Sequence, residues 1–375
     1  MLLLTACASV SPPTPAQLFD DAAFAPPSAP VRADSIFALD DAMRHYLQTE
    51  IARQARDKGP RRALFDALYS RGQLKIEYDS SMTRTAIQTY EARTGNCLSL
   101  VIMTAALAKE MDLSVQYQSV ATDPSWSRSG GLYFSAGHVN VVLGRRSGET
   151  SKYSRETGMI IDFLPPKEGT AARVAPIEEN TVRAMYLNNR AAELLNGGQL
   201  DNAYWSARAA VAEDPTFTGA YNTLGVVYKR HGDLEQAQRV FALLLERSPD
   251  DLMVMSNLAQ TLQAMGRVEQ ADVLLRRLGR LQPEPPFHFF DLGREAMARH
   301  DYTEARRLFA REIERDPYYH EFHFWLAQAE LKLGDTAQAE RQLQLAMAGS
   351  TSRRDESLYA AKLDRLRAGT SAAGR

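Results

Sequence analysis

From Ala184 onward, apolar and small residues recur at helical spacing inside a unit that repeats. Pro215, Pro249, Pro283 and Pro317 each stand 34 residues apart. In step with them a small residue returns as Ala191, Gly225, Ala259, Gly293 and Ala327, and another as Ala203, Ala237, Ala271, Ala305 and Ala339. Gly198, Gly232, Gly266 and Gly334 share one phase, with His300 as the departure. Bulky residues such as Leu224, Tyr228, Phe241, Leu258, Leu262, Leu275, Leu292, Phe309, Leu326 and Leu343 fill the positions between. This pattern predicts hairpins of two helices that cannot bury their apolar faces alone and so must stack. Small residues let the helices of a hairpin approach, glycine permits the turn between them, and proline ends the second helix. Asp355–Ala368 keeps helical spacing through Leu358, Ala361, Leu363 and Leu366 and suits a capping helix.

Residues 33–179 have a different texture. Leu39–Ala55 and Arg61–Arg71 read as helices and Gln73–Asp79 as a strand. After Gly95 and Asn96, which suit a turn and an N-cap, an apolar helical pattern runs from Cys97 through Leu100, Met103, Leu107 and Met111. Val115–Val120 alternates as a strand. A second strand begins near His138, and a third, Gly158–Pro166, carries Asp162 within an apolar run. Ahead of all this, Ala8–Arg32 is rich in Ser, Pro and Ala and reads as a flexible or extended tether.

Composition narrows the classes. The 375 residues suffice for two or three domains, and a net charge of −2 provides no field for nucleic acid. There is no apolar run of the ~18 residues needed to span a bilayer. Only two cysteines, Cys7 and Cys97, are present, too few for a metal ribbon or a disulfide framework. His320 and His323 lie one helical turn apart but lack a further ligand, so a solvated or packing pair is expected.

Cys97 opens a helix, where the dipole and free N–H groups favour an anion. A thiol so placed can fall from about 8.5 into roughly the 3.5–7.5 range, giving the nucleophilic thiolate. The alternative is an inert buried thiol. Asp162 inside an apolar strand needs compensation, which an imidazole on the adjacent strand would supply. Gly95-Asn96-Cys97 opening a helix, Gly137-His138-Val139-Asn140 on a strand and Ile161-Asp162-Phe163 on the next resemble the transglutaminase-like superfamily over roughly Met82–Pro166. That resemblance implies an α+β papain/transglutaminase-like domain. It makes Cys97 the nucleophile, His138 the general base and acid, and Asp162 the group that orients His138. Leu98 departs from the aromatic residue that often follows the cysteine in larger transglutaminases. Gln88 and Tyr90 are guesses for an oxyanion donor, and Asn140, Trp126 and Tyr133 are candidates to line the cleft.

The period and small-residue positions of the C-terminal half resemble the tetratricopeptide repeat, which implies an all-α superhelix binding proteins through its concave face. The alignment places Asn188, Asn222, Val226, Lys229, Gln260, Phe287, Phe290, Arg294 and Phe324 towards that groove, for backbone, carboxylate and apolar contacts. Phe287, Phe290 and Phe324 read equally well as packing between units.

Leu4-Thr5-Ala6-Cys7 resembles a bacterial lipobox, although little chain precedes it. It implies lipidation at Cys7 and an outer-membrane lipoprotein facing the periplasm. Equal detergent partitioning of the precursor and its Cys7→Ser variant would refute this anchor. The expected organisation is therefore 1–32 lipobox and tether, 33–179 cysteine domain, 180–353 repeats, and 354–375 cap and tail. The leading functional expectation is amide hydrolysis or acyl transfer on peptides or proteins through a Cys97 thioester, with the repeats binding protein partners and no metal or organic cofactor required. The alternative is a catalytically silent, anchored scaffold.

Overall fold

The computed structural model describes residues 15–70, 73–121, 126–129, 132–135, 138–146, 158–163, 173–317, 319–350 and 352–373. Their contacts form two compact units. One comprises Met1–Ala38, Gln116–Gln118 and Pro176–Pro283, and the other Leu39–Val115, Ser119–Ala175 and Glu284–Arg375.

Helices α1 (Asp41–Tyr46) and α2 (Ala52–Lys58) are joined by a π-turn at Leu47–Ile51, and α3 is Pro60–Tyr69. Strand β1 (Glu77–Tyr78), α4 (Ala86–Ala92) and strand β2 (Thr94–Gly95) lead into α5 (Cys97–Glu110). Strands β3 (Leu113–Ala121), β4 (Trp126–Ser129), β5 (Leu132–Ser135), β6 (His138–Arg146), β7 (Met159–Ile161) and β8 (Arg173–Ile177) follow. The first unit then carries the helix pairs α6 (Glu179–Asn196) with α7 (Leu200–Glu213), α8 (Thr218–His231) with α9 (Leu234–Arg247), and α10 (Leu252–Ala264) with α11 (Val268–Leu281). The second carries α12 (His288–Ala298) with α13 (Tyr302–Arg315), α14 (His320–Leu333) with α15 (Thr336–Ala348), and α16 (Arg353–Ala373).

Helix α5 is buried on every side from Leu98 to Ala108, which suits a central helix rather than an amphipathic one. It packs against β6 in a four-stranded sheet of order β7-β6-β3-β8. Strands β6 and β7 are antiparallel, with Val141 opposite Ile161. Strands β1 and β2 are parallel, with Tyr78 beside Gly95.

In the helix pairs that a proline follows, the second helix stops two residues before it. The turn position takes positive φ at Gly198, Gly232, Gly266 and Gly334, and His300 adopts the same left-handed conformation at φ 62°. A Cβ at Gly225 would lie 2.6 Å from the Phe241 ring, and one at Gly293 equally close to Phe309, so the paired helices meet where only glycine fits. Ala203, Ala237, Ala271, Ala305 and Ala339 have no exposed surface.

Within the stretch read as a tether, residues 15–28 instead lie against α7 and α8. Leu18 and Phe24 are buried, and Phe24 stacks on Tyr204 with ring centroids 3.9 Å apart. Apolar anchors and hydrogen bonds to α7 and α8 together dock a segment whose Pro- and Ala-rich composition reads as a tether. Cys7 and the lipobox lie outside the described residues. Among the described residues no helix is long and apolar enough to cross a membrane.

Candidate active site and repeat groove

Asn96 caps α5 through Oδ1, which accepts the Ser99 N–H at 2.9 Å and the Ser99 hydroxyl at 2.7 Å. Its amide in turn donates to Thr83. This cap fixes Cys97 in the first helical turn, where the main-chain N–H groups have no partner within the helix. Cys97 is half-buried.

His138 opens β6. Strand alternation puts His138 and Asn140 on one face, and continuing the β6–β7 register by one residue sets Asp162 opposite Asn140. Asp162 is thus diagonal to His138, a separation its side chain spans. Nε2 of His138 and Oδ1 of Asp162 are 2.6 Å apart. His138 is only 9% exposed. Burial works against its charge, but hydrogen bonding to Asp162 and Cys97, and their negative charge, overcome it and push the imidazole up to about 9. Nδ1 is buried without a hydrogen bond of ordinary geometry, which leaves it for the thiol side of the ring. The structure therefore brings Cys97, His138 and Asp162 into one neighbourhood.

Sequence reasoning missed Tyr78. It is carried beside α5 by the two-residue pairing of β1 with β2. Burial, followed by the charges of Cys97 and Asp79, raises its phenol, so the hydroxyl keeps its proton. A two-residue strand leaves too little alternation to detect. The guessed oxyanion donors are used elsewhere: Gln88 forms a capping box with Thr85 at the start of α4, and Tyr90 meets the Tyr46 ring. Asn140 is buried with Oδ1 unpartnered, and Trp126 and Tyr133 lie on the β4–β5 hairpin.

On the first helices of the first unit, Asn222 Oδ1 accepts from Asn257 Nδ2 at 2.9 Å, and Lys229 Nζ donates to Gln260 at 2.7 Å. Burial lowers Lys229 from the usual lysine value, helped by Arg230. Asn188 Oδ1 is buried without a partner. Asn257, which extends the amide row, escaped the sequence reading because it is one residue out of phase with Asn222. Arg294 belongs to the second unit, its guanidinium 5.0 Å from the centre of the Trp325 ring.

Of the phenylalanines that read as groove or packing residues, Phe287 and Phe290 lie in the core and Phe324 is partly buried. Phe287 and Phe290 are each 1% exposed and pack with Phe309 and Phe322, while Phe324 stacks on Tyr359 of the capping helix. His320 and His323 are hydrogen-bonded, to Tyr359 and to Gln342 and the Pro317 carbonyl respectively.

Residues 232–288 and 290–354 each match a family of tetratricopeptide repeats. The C-terminal region is thus built of these repeats. No curated protein matches the chain. Among solved structures the chain is similar to YrrB, described as a repeat protein with an unusual peptide-binding site, at 21% identity over 48% of this chain and 92% of that one, TM-score 0.26. It is also similar to a thermophilic repeat protein of Thermus thermophilus, at 19% identity over 48% and 98%, TM-score 0.31. MamA of Desulfovibrio magneticus is similar at 16% over 44% and 93%, TM-score 0.26.

Proposed function

We propose that this chain assembles partner proteins through its repeats. The row of amides and the lysine on the first helices of the first unit, Asn188, Asn222, Asn257, Lys229 and Gln260, supports this reading most directly. Side-chain amides offer a donor and an acceptor each, the complement of an extended peptide backbone. Lys229 adds a cation for a carboxylate. A library of short random peptides enriched on the wild-type chain tests it. The double variant Asn222→Ala/Lys229→Ala is expected to bind the enriched peptides at least tenfold more weakly, with its helical content unchanged. Equal binding would remove the groove from the proposal.

A second reading, thiol acyl transfer, is favoured by one observation: the 2.6 Å contact of His138 with Asp162 on an imidazole that also senses Cys97. In this reading Cys97 Sγ attacks an amide carbonyl carbon, and His138 delivers its proton to the nitrogen as the C–N bond breaks. A thioester and a free amine result. Water, deprotonated by His138, then releases a carboxylic acid and restores the thiol, or an amine takes the acyl group instead. Asp162 holds the imidazole in orientation and stabilises its cation. In this reading the first-turn N–H of Cys97 is the natural donor to the developing oxyanion. The test is the pH dependence of Cys97 alkylation in the wild-type and His138→Ala chains.

A further inference from the structure

Residues 15–28 contain only two 3₁₀ turns, Pro15–Leu18 and Asp21–Ala23, yet they are held by side chains 174 to 210 residues away along the chain. The receiving surface reads the main chain directly. The Tyr228 hydroxyl donates to the Leu18 carbonyl at 2.7 Å, and the Asp20 N–H reaches the hydroxyls of Tyr204 and Tyr228, both at 3.0 Å. Trp205 Nε1 donates to the Ala25 carbonyl, Asp201 accepts the Ala25 N–H, and Asn202 accepts the Ser28 N–H. Side-chain recognition is superimposed on this. Leu18 and Phe24 are buried, and Phe24 lies on Tyr204 and within 4.4 Å of the His231 ring. Asp21 accepts from the Tyr204 hydroxyl and from Arg208, both at 2.7 Å.

We propose that α7 and α8 form a peptide-recognition site for acidic segments with an aliphatic and an aromatic anchor six residues apart, and that the chain's own Leu18–Ser28 is its occupant in cis. The site shares α8 with the amide row but uses other side chains, Tyr204, Trp205 and Arg208 of α7 and Tyr228 of α8. Its donors and acceptors match a peptide backbone, its aromatic shelf matches one ring, and Arg208 matches one carboxylate. The Tyr204 and Tyr228 rings are fully buried, and removing the segment would strip their hydroxyls of these partners. Its departure would also uncover the ring face on which Phe24 now stacks, and exposing apolar surface to water is costly, so the surface is expected to hold a peptide. A second chain bearing the same pattern therefore enters by exchange with the resident segment.

The probe is a labelled synthetic peptide of residues 15–30 titrated into the full chain. A tethered ligand competes at an effective concentration on the order of millimolar, so the wild-type chain is expected to bind the free peptide weakly. The full chain carrying Asp21→Asn and Phe24→Ala is expected to bind it at least tenfold more tightly, and adding Arg208→Ala should reverse that gain. If the weakened chain keeps its circular dichroism and binds no better than wild type, the proposal is wrong. If that variant loses its fold, the wild-type chain decides. Saturating unlabelled peptide should then raise proteolytic cleavage within residues 15–30 several-fold, where a scrambled peptide does not. Equal cleavage with both peptides overturns the proposal.

Discussion

Replacing His138 with alanine is expected to slow iodoacetamide alkylation of Cys97 at pH 7 by one to two orders of magnitude, read by peptide mapping so that Cys7 does not contribute. The imidazole is pushed up to about 9, so at neutral pH it carries a proton and a positive charge beside the thiol. That cation favours a thiolate, the form that reacts. Wild-type reactivity should accordingly stay level from about pH 6 to 8 and change near 9, where the ring loses its proton. In His138→Ala, with no imidazole cation beside the thiol, the inflection near 9 should be absent. Asp162→Asn removes the carboxylate that supports the cation and should move the wild-type inflection downwards. Identical profiles in wild type and His138→Ala would leave the repeats as the protein's sole proposed activity.

The same group links stability to pH. Its folded value lies above the ordinary 6.5, so the stabilisation it gives is fully present below about 6.5 and is lost as pH rises through about 9. The urea midpoint of the wild type should therefore exceed that of Asp162→Asn most clearly near pH 6, and the gap should close above pH 9.

The repeats were legible because five copies of one pattern reinforce each other, to the point that His300 takes the left-handed turn its glycine counterparts predict. Helix α5 was legible from its cap and unbroken apolar run, and Cys97, His138 and Asp162 as candidates from the resemblance of the short motifs that carry them. Three features had no such signal. Tyr78, whose phenol senses the charge of Cys97, sits on a two-residue strand. The docking of residues 15–28 depends on Tyr204 and Tyr228, whose role in the repeat pattern gives no hint of a distant segment. The third is the side to which α12 turns its phenylalanines. Phe287 and Phe290 are buried there, which the sequence pattern left open between groove and packing.

Phe290→Ala is consequently expected to act on stability, not on recognition. The ring is 1% exposed and packs among aromatic neighbours, with centroids 6.0 Å away at Phe287, 5.7 Å at Phe309, 5.2 Å at Phe322 and 6.4 Å at Trp325. Truncation removes buried surface and leaves a cavity that close-packed rings on α12, α13 and α14 fill only in part. The expected loss is about 3–5 kcal/mol in urea unfolding of the second unit. Leu358→Ala, at a position 46% exposed on the capping helix, should cost within about 0.5 kcal/mol and serves as the control. A groove residue would show the opposite behaviour, weakening peptide binding while leaving unfolding unchanged. Measured on the fraction still folded, Phe290→Ala should retain wild-type affinity for the peptides that Asn222→Ala/Lys229→Ala releases. A loss below about 1 kcal/mol with weakened binding would return Phe290 to the binding surface.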